Sequence, residues 1–188
     1  MNIGFCMCGS FCTFAKVFPV LEELVKDHTV FAILSPSSDC TDSRFGTAEE
    51  HLRRVEEICE KPVWRKISEV EPIGPKKLLD ILIIDPCTGN TLAKLSHSIA
   101  DTSVTMAVKS HLRNARPVLI AVSTNDGLAG AAENIGRLLS RKHIYFVPFG
   151  QDDPIKKPTS LVADFSRIPE AMNAAVQGIQ LQPILLRS

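Results

Sequence analysis

Five short runs of apolar residues recur along the chain, and polar or turn-forming residues bound each of them. Runs without alternating apolar and polar positions are typical of strands that are buried on both faces of a parallel sheet. They predict strands over residues 2–7, 29–34, 81–84, 117–122 and 144–147.

Between these strands, apolar residues recur every three or four positions, which is the spacing of one buried helical face. This spacing predicts helices over residues 14–25, 90–100, 105–112, 135–139 and 169–176. Another helix is expected after Thr47, because Thr47 and Glu50 have the spacing of a capping box. In the helix over residues 90–100, we expect Leu92, Leu95 and Ile99 to face the core.

The alternation of strands and helices predicts an α/β fold. We expect a three-layer, Rossmann-like (flavodoxin-like) arrangement in which helices cover both faces of a parallel sheet. The length of 188 residues and the lack of a linker-like segment favour a single domain over residues 1–188.

The charge balance and composition exclude several classes of protein. Lys and Arg together number 21, as do Asp and Glu, which argues against a protein that binds nucleic acid by neutralising phosphates. The first lysine is Lys16 and no apolar run approaches the roughly 18 residues that span a bilayer, so we expect a cytoplasmic protein without membrane contact. In that compartment the six cysteines are expected to be reduced and buried, not paired or metal-bound.

Small polar residues follow each of the first four predicted strands. In a parallel sheet these loops meet at the carboxyl edge, where ligands of such folds bind. We therefore predict a ligand site built from Gly9 and Ser10 after the first strand, from Ser35, Ser37 and Ser38 after the second, from Cys87, Thr88, Asn90 and Thr91 after the third, and from Ser123 and Asn125 after the fourth.

The first of these loops has a Gly-Ser turn at the start of a predicted helix, which suits an anion. It lacks the lysine of a phosphate-binding Walker loop, and the dinucleotide pattern of three glycines is absent. The alternative is a tight turn in which Ser10 caps the helix.

Three residues are candidates for a catalytic role. The carboxamide of Asn90 can both donate to and accept from a heterocycle or a carboxylate, although Asn90 could also simply cap the following helix. Asp85 and Asp126 follow the third and fourth strands and are candidate general bases.

The segment PCTGNTLAKLSHSIADT (residues 86–102) resembles the P-x-x-x-N-T-x-x-K-x-x-x-G-I-A-D signature of the flavin-dependent cysteine decarboxylase-like flavoproteins. That family includes phosphopantothenoylcysteine decarboxylase, peptidyl-cysteine decarboxylases and the prenyl-flavin synthases. Ser98 stands where the signature has glycine. The strings CGS (8–10) and ILSPSS (33–38) are similar to the segments that hold the FMN phosphate in the family. The resemblance implies bound FMN, trimers with the flavin between subunits, and twelve-subunit shells; the apolar tail 181–186 is a candidate docking surface.

One departure concerns the catalytic histidine of the decarboxylases. In an ungapped register Pro72 stands at that position. The five histidines of this chain, His28, His51, His97, His111 and His143, are expected on helix surfaces or at strand entries. A cysteine decarboxylase is therefore the weaker alternative.

The strings RFG (44–46), EPIGPK (71–76), STND (123–126), PFGQDDPIKKP (148–158) and LQPIL (181–185) resemble one subgroup of this family, found in endospore-forming bacteria. The resemblance implies one subunit of a two-subunit oxidoreductase that oxidises a small cyclic dicarboxylate in the mother cell, with NADP on the partner subunit. Candidate partners for the carboxylates are Arg44, Lys76, Lys77, Asn90 and Asn125. The resemblance leaves open whether this chain takes part in the chemistry or only supports its partner with a vestigial flavin pocket.

Overall fold

A seven-stranded sheet runs through the computed structural model, which describes residues 1–186. The strands are β1 (Asn2–Met7), β2 (Thr29–Leu34), β3 (Ile81–Cys87), β4 (Val118–Thr124), β5 (Ile144–Phe146), β6 (Phe149–Asp153) and β7 (Lys157–Ala163). The first five are parallel in the order β2-β1-β3-β4-β5, whereas β7 and β6 add an antiparallel extension beside β4. The order of the parallel strands is that of flavodoxin-like folds, so the predicted fold class is confirmed.

Eight helices cover the sheet. They are α1 (Phe14–Asp27), α2 (Pro36–Cys40), α3 (Ala48–Cys59), α4 (Ile67–Val70), α5 (Gly89–Ser96), α6 (Ser103–Leu112), α7 (Ala132–Leu139) and α8 (Ile168–Val176). Helices α1, α3 and α8 lie on one face of the sheet, and α5, α6 and α7 lie on the other. Within residues 1–186, no helix combines the length and the hydropathy needed to cross a membrane.

The core is densest along β3, where all seven residues are buried. Their neighbours are also apolar, since the parallel register places Ile81 beside Ile3 and Ile84 beside Cys6 and Ile120. Removing such a side chain from water stabilises a fold by roughly 1.5–3 kcal/mol. The unbroken apolar runs in the sequence follow from burial on both faces.

One helix prediction is confirmed in detail, and another differs from the structure. The capping box after Thr47 is confirmed, with Thr47 N donating to Glu50 Oε2 at 2.8 Å and Glu50 N donating to Thr47 Oγ1 at 3.1 Å. The helix predicted over residues 90–100 ends at Ser96, because Ser98 adopts a left-handed conformation with φ 60°. The chain turns there, and Ile99 is 47% exposed instead of facing the core. A left-handed residue after a helix is the conformation that favours glycine, which the family signature has at this position.

The hairpin of β6 and β7 was not predicted from the sequence. It falls within the segment FGQDDPIKKPTSLVA, whose charges and prolines are typical of a loop. Strand β7 pairs with Ser123 and Thr124 at the carboxyl end of β4, while β5 pairs with the amino-terminal half of the same strand. Two strands therefore share one edge of β4.

The apolar tail docks on its own chain within the described residues. Phe149 N donates to Ile184 O at 2.9 Å, and Leu186 N donates to Phe149 O at 2.9 Å. Leu181 and Ile184 pack against the core, and the tail pairs with the first residue of β6.

All six cysteines are free thiols. Four of them are buried, namely Cys6, Cys8, Cys59 and Cys87. The expectation of burial is wrong for Cys12 and Cys40, which are exposed at the surface.

The expected surface position is wrong for two histidines, His51 and His111, which are buried. His111 Nε2 lies 3.1 Å from Pro117 O, and because a carbonyl only accepts, Nε2 must carry the proton. Burial lowers the pKa of His111 to about 4. The folded protein therefore keeps this imidazole neutral at pH values where the unfolded chain protonates it.

We expect His111 to make the protein less stable as the pH falls from 6.5 towards 4. The sign follows because the unfolded chain binds a proton that the folded state refuses, at a cost on the order of 3 kcal/mol over this window. Chemical denaturation of His111→Gln at a series of pH values should give a shallower loss of unfolding free energy than wild type. The matched change at the exposed His97 is the control, and equal pH profiles for wild type and His111→Gln would contradict the assignment.

Candidate functional site

A polar crevice of about 380 Å³ opens at the carboxyl edge of the sheet. Among the residues predicted from the sequence, Gly9, Ser10, Thr88, Ser123 and Asn125 line it. Thr124, from the polar loop after the fourth strand, also lines it. The sequence pattern did not indicate the others, which are Cys12, Thr13, Lys16, Asp152, Lys157, Ser160, Leu161 and Val162. The volume of the crevice is in the range of small-molecule sites.

Hydrogen bonds join the loops that surround this crevice. Ser10 Oγ lies 2.8 Å from Ser123 Oγ, so the loop after β1 reaches across β3 to the end of β4. Cys8 N donates to Pro86 O at 3.2 Å, and Ser35 N donates to Met7 O at 3.0 Å. The four loops therefore share one edge, as the strand pattern predicts.

The serines after β2 lie beside the crevice without lining it. Ser38 is fully buried and donates its hydroxyl to Met7 O at 2.7 Å. Ser35 caps α2 by accepting from Ser38 N at 3.3 Å. Ser37 is exposed and close to the first loop, since a Cβ built on Gly9 would lie 3.0 Å from Ser37 Cβ. Of the three, only Ser37 keeps an exposed position near the Gly-Ser turn.

In the loop after β3, two of the four predicted ligands, Cys87 and Thr91, are turned inward. Cys87 is completely buried, and Thr91 Oγ1 donates to Cys8 Sγ at 3.3 Å. Thr88, and not Asn90, occupies the N-cap position of α5. Asn90 lies in the first turn of that helix and is exposed, so the alternative in which it caps the helix is wrong.

The loop after β4 closes tightly on α5. Thr124 Oγ1 donates to Asp126 Oδ1 at 2.5 Å, and a Cβ on Gly89 would lie only 2.7 Å from that carboxylate oxygen. A side chain at position 89 would therefore force the side chains of Asp126 and Thr124 to shift. Asp126 is exposed beside the crevice, where a candidate base has access to solvent.

Asp85 does not reach the crevice. Its side chain is completely buried in β3, and neither carboxylate oxygen has a hydrogen-bond partner among residues 1–186. Burial raises the pKa of Asp85 well above its ordinary range, so this group is held as a neutral acid. Its role as a general base stays a prediction that the geometry does not support.

The charges in the lining favour an anion. Lys16 projects from α1, Lys157 from β7, and Asp152 is the one carboxylate among the lining residues. The hydroxyls of Ser10, Thr13 and Ser123 add neutral donors. Cations with hydroxyl donors at the end of a parallel sheet suit a phosphate or a carboxylate, and they fit the phosphate-bearing end of a flavin nucleotide.

The three cations that the sequence analysis predicted, Arg44, Lys76 and Lys77, do not line the crevice. The guanidinium of Arg44 stacks over the ring of Phe45 at 4.8 Å in an exposed turn. Lys76 and Lys77 are exposed in the segment before β3, at the amino end of the sheet. Pro72 belongs to the same segment, and no histidine is among the residues that line the crevice.

A larger cavity of about 540 Å³ adjoins the crevice on the outer side of α1. It shares Lys16 and Val162 with the crevice, but its walls are largely apolar, with Pro19, Val20 and Phe165 among them. Because none of the predicted polar loops reaches it, the crevice is the candidate site.

The chain matches the Flavoprotein family model over residues 1–166. It belongs to the flavoprotein family. It is 42% identical over 188 residues to the B subunit of dipicolinate synthase from Bacillus subtilis (strain 168), covering all of this chain and 94% of that protein. The crystal structure of the dipicolinate synthase B subunit from Bacillus halodurans C is 40% identical, with a TM-score of 0.91 over 100% of this chain and 96% of that one. A dodecameric FMN-dependent Ubix-like decarboxylase from Escherichia coli O157:H7 shares the fold, at 19% identity and a TM-score of 0.63 over 79% of this chain and 80% of that one.

Part of the flavoprotein signature has a structural role here. Lys94 Nζ donates to both carboxylate oxygens of Asp101 at 2.9 Å, which ties α5 to the segment that leads into α6. This hydrogen bond lowers the pKa of Asp101. The two charged residues of the signature thus bind each other across the left-handed turn at Ser98, outside the crevice lining.

We expect the neutral Asp85 to make wild type progressively less stable than Asp85→Asn as the pH rises. Because the pKa of Asp85 is raised in the folded state, its contribution to the free energy of unfolding is full below the ordinary aspartate pKa. Above that pKa the contribution declines by up to about 1.4 kcal/mol per pH unit. Denaturant titrations of both proteins at pH values from 4 to 8 measure the difference between their free energies of unfolding. The exposed Asp126→Asn is the control, and a difference that is independent of pH would show that Asp85 is ionised in the fold.

Proposed function

We propose that this chain acts as the B subunit of a dipicolinate synthase, supporting the NAD(P)-linked oxidation of dihydrodipicolinate to dipicolinate during sporulation. The observation that carries the proposal is similarity along the whole chain to two dipicolinate synthase B subunits, at 42% and 40% identity. That similarity includes the β6–β7 hairpin and the tail, of which the tail lies beyond the part that the general family model matches.

The reaction removes a hydride and a proton from a dihydropyridine ring that carries two carboxylates. In this proposal the hydride passes to NADP on the partner, which is the A subunit of dipicolinate synthase. Lys16 and Lys157 of this chain bind carboxylates, and the hydroxyl of Ser123 orients them. Asp126, exposed beside the crevice, is the candidate that takes the proton.

A flavin is part of the proposal, because the chain belongs to the flavoprotein family and the crevice suits an anionic group. The FMN phosphate would be held at Gly9 and Ser10, with Ser37 alongside. When bound, the flavin would supply a two-electron acceptor that is an alternative to the NADP of the partner subunit. Asn90 and Asn125 would offer amide groups to its ring or to a substrate carboxylate.

A second candidate is a partner protein without catalysis, whose flavin pocket is vestigial. One observation favours it: the only carboxylate among the lining residues, Asp152, is paired with Lys157, and the lining contains no histidine. The same lack of histidine, together with Pro72 in place of the decarboxylase histidine, disfavours a free-standing cysteine decarboxylase.

We also propose that the protein works in the cytoplasm of the mother cell as a homo-oligomer, a trimer or a dodecamer, in complex with the A subunit. The dodecameric E. coli relative supports such an assembly through the shared fold. Under this proposal residues 1–188 function as a single domain.

The first test combines flavin binding with reconstitution. We expect the purified protein to show visible flavin absorbance, or to acquire it when FMN is added, and to raise the rate at which the A subunit forms dipicolinate. Stimulation of the A subunit without flavin would favour the partner protein that has a vestigial pocket. If this chain leaves the rate of the A subunit unchanged with and without FMN, the proposed function is wrong.

The second test uses Asn90→Asp. An acid in the first turn of α5 interacts favourably with the helix dipole, so the melting temperature should stay level or rise slightly. If Asn90 donates to the flavin or to a substrate carboxylate, binding should weaken roughly ten- to a hundredfold, since a hydrogen bond to a charged group contributes about 1.5–3 kcal/mol. FMN titration and the reconstituted rate measure this effect. Asn173→Asp, at an exposed position on α8, is the control; wild-type binding and rate in Asn90→Asp would remove Asn90 from the site.

A further inference from the structure

The two charged residues of the β6–β7 hairpin that line the crevice face each other across the hairpin. Asp152 lies on β6 and Lys157 on β7, and Lys157 Nζ donates to Asp152 Oδ2 at 2.6 Å. Both side chains keep contact with solvent, at 33% and 54% exposure. The carboxylate of Asp152 therefore already pairs with Lys157, the cation that a bound anion would use.

The second cation of the crevice is in a different state. Lys16, on α1, takes part in none of the ion pairs found among residues 1–186. The crevice thus offers one unpaired cation and one that is neutralised internally. A monoanion can be matched by Lys16 alone, whereas a dianion needs Lys157 as well.

We infer that Asp152 is an internal competitor for Lys157, which a dianionic ligand displaces so that its second charge pairs with the lysine. This inference rests on the proposed function and deepens it, because it names the ligand class that the crevice selects. That class is a compact dianion, either a dicarboxylate on a planar ring or a phosphate monoester.

The exchange is physically cheap, because an exposed ion pair contributes little to stability and its carboxylate is rehydrated when it is released. In a buried pair, by contrast, the released carboxylate would be left without a partner. The hydrogen bond to Asp152 raises the pKa of Lys157, so the lysine is charged before the ligand arrives. The hydroxyls of Ser10 and Ser123 form a hydrogen bond with each other, which leaves one of the two hydroxyl hydrogens as a neutral donor for a ligand.

The competition predicts opposite effects from the two partners of the pair. Asp152→Asn frees the lysine and should strengthen dianion binding about two- to fivefold. Lys157→Gln removes the cation and should weaken dianion binding by about tenfold. In the double variant the gain from Asp152→Asn should disappear, because the charge for which the carboxylate competes is absent.

Titration calorimetry of the full-length protein provides the measurement, with pyridine-2,6-dicarboxylate and FMN as separate probes that distinguish the two sources of the dianion. Pyridine-2-carboxylate, which carries one charge, should respond weakly to either change. Lys156→Gln is the matched control, since Lys156 is the neighbouring exposed lysine and does not line the crevice. Melting temperatures of all variants confirm that they are folded.

Three results would overturn the inference. Unchanged affinity in Lys157→Gln would remove the lysine from the site. A gain from Asp152→Asn that persists in the Lys157→Gln background would show a general effect of charge instead of competition. Failure of wild type to bind either dianion would overturn this inference together with the proposed crevice. If wild type binds a dianion and the variants bind it with the same affinity, this inference alone is wrong.

Discussion

The burial of β3 on both faces is the constraint on which the rest of the structure depends. All seven of its residues are buried, and it pairs in parallel with β1 on one side and with β4 on the other. Helices must then cover each face of the sheet, and the carboxyl ends of the three strands must emerge together. The hydrogen bond between Ser10 and Ser123, which crosses over the end of β3, follows from that register. The crevice is the gap that remains where these strand ends diverge into loops.

The hairpin of β6 and β7 adds an ion pair, Asp152 with Lys157, to the lining of this crevice. Because β5 pairs only with the first half of β4, the edge of the second half is free to accept β7. That pairing places Ser160 and Leu161 in the wall of the crevice and Lys157 at its end. The tail pairs with the first residue of β6, so the hairpin is held from both sides. Without the hairpin, the strand-end loops and α1 would supply Lys16, hydroxyls and backbone groups.

Asp85 and His111 are two ionisable side chains that are almost completely buried in the interior. His111 is matched by the carbonyl of Pro117, and its burial is compatible with a neutral imidazole. Asp85 has no hydrogen-bond partner in the described part of the chain, and an unpaired carboxyl in the strand that anchors the sheet is costly. The two groups affect stability in opposite directions of pH. Because of His111 the free energy of unfolding falls as the pH is lowered, and because of Asp85 it falls as the pH is raised. The range of pH over which the fold is most stable is bounded by both.

The sequence by itself determined the five parallel strands, most of the helices and the family, because strand burial and helical periodicity are local patterns and the signature is continuous. It also located the polar loops at the edge of the sheet, with Gly9, Ser10, Thr88, Ser123 and Asn125 lining the crevice. Lys16 was within reach of the same reasoning, since it lies on the helix that follows the Gly-Ser turn. Only the tertiary structure decided which polar side chains form hydrogen bonds inside the protein instead of facing a ligand, as Ser38 and Thr91 do. It also decided that Asp152 and Lys157 belong to the site. The reason is physical, because β7 reaches the crevice through backbone pairing with a strand more than thirty residues earlier. Such backbone hydrogen bonds cannot be predicted from the side-chain pattern of a polar segment that contains prolines.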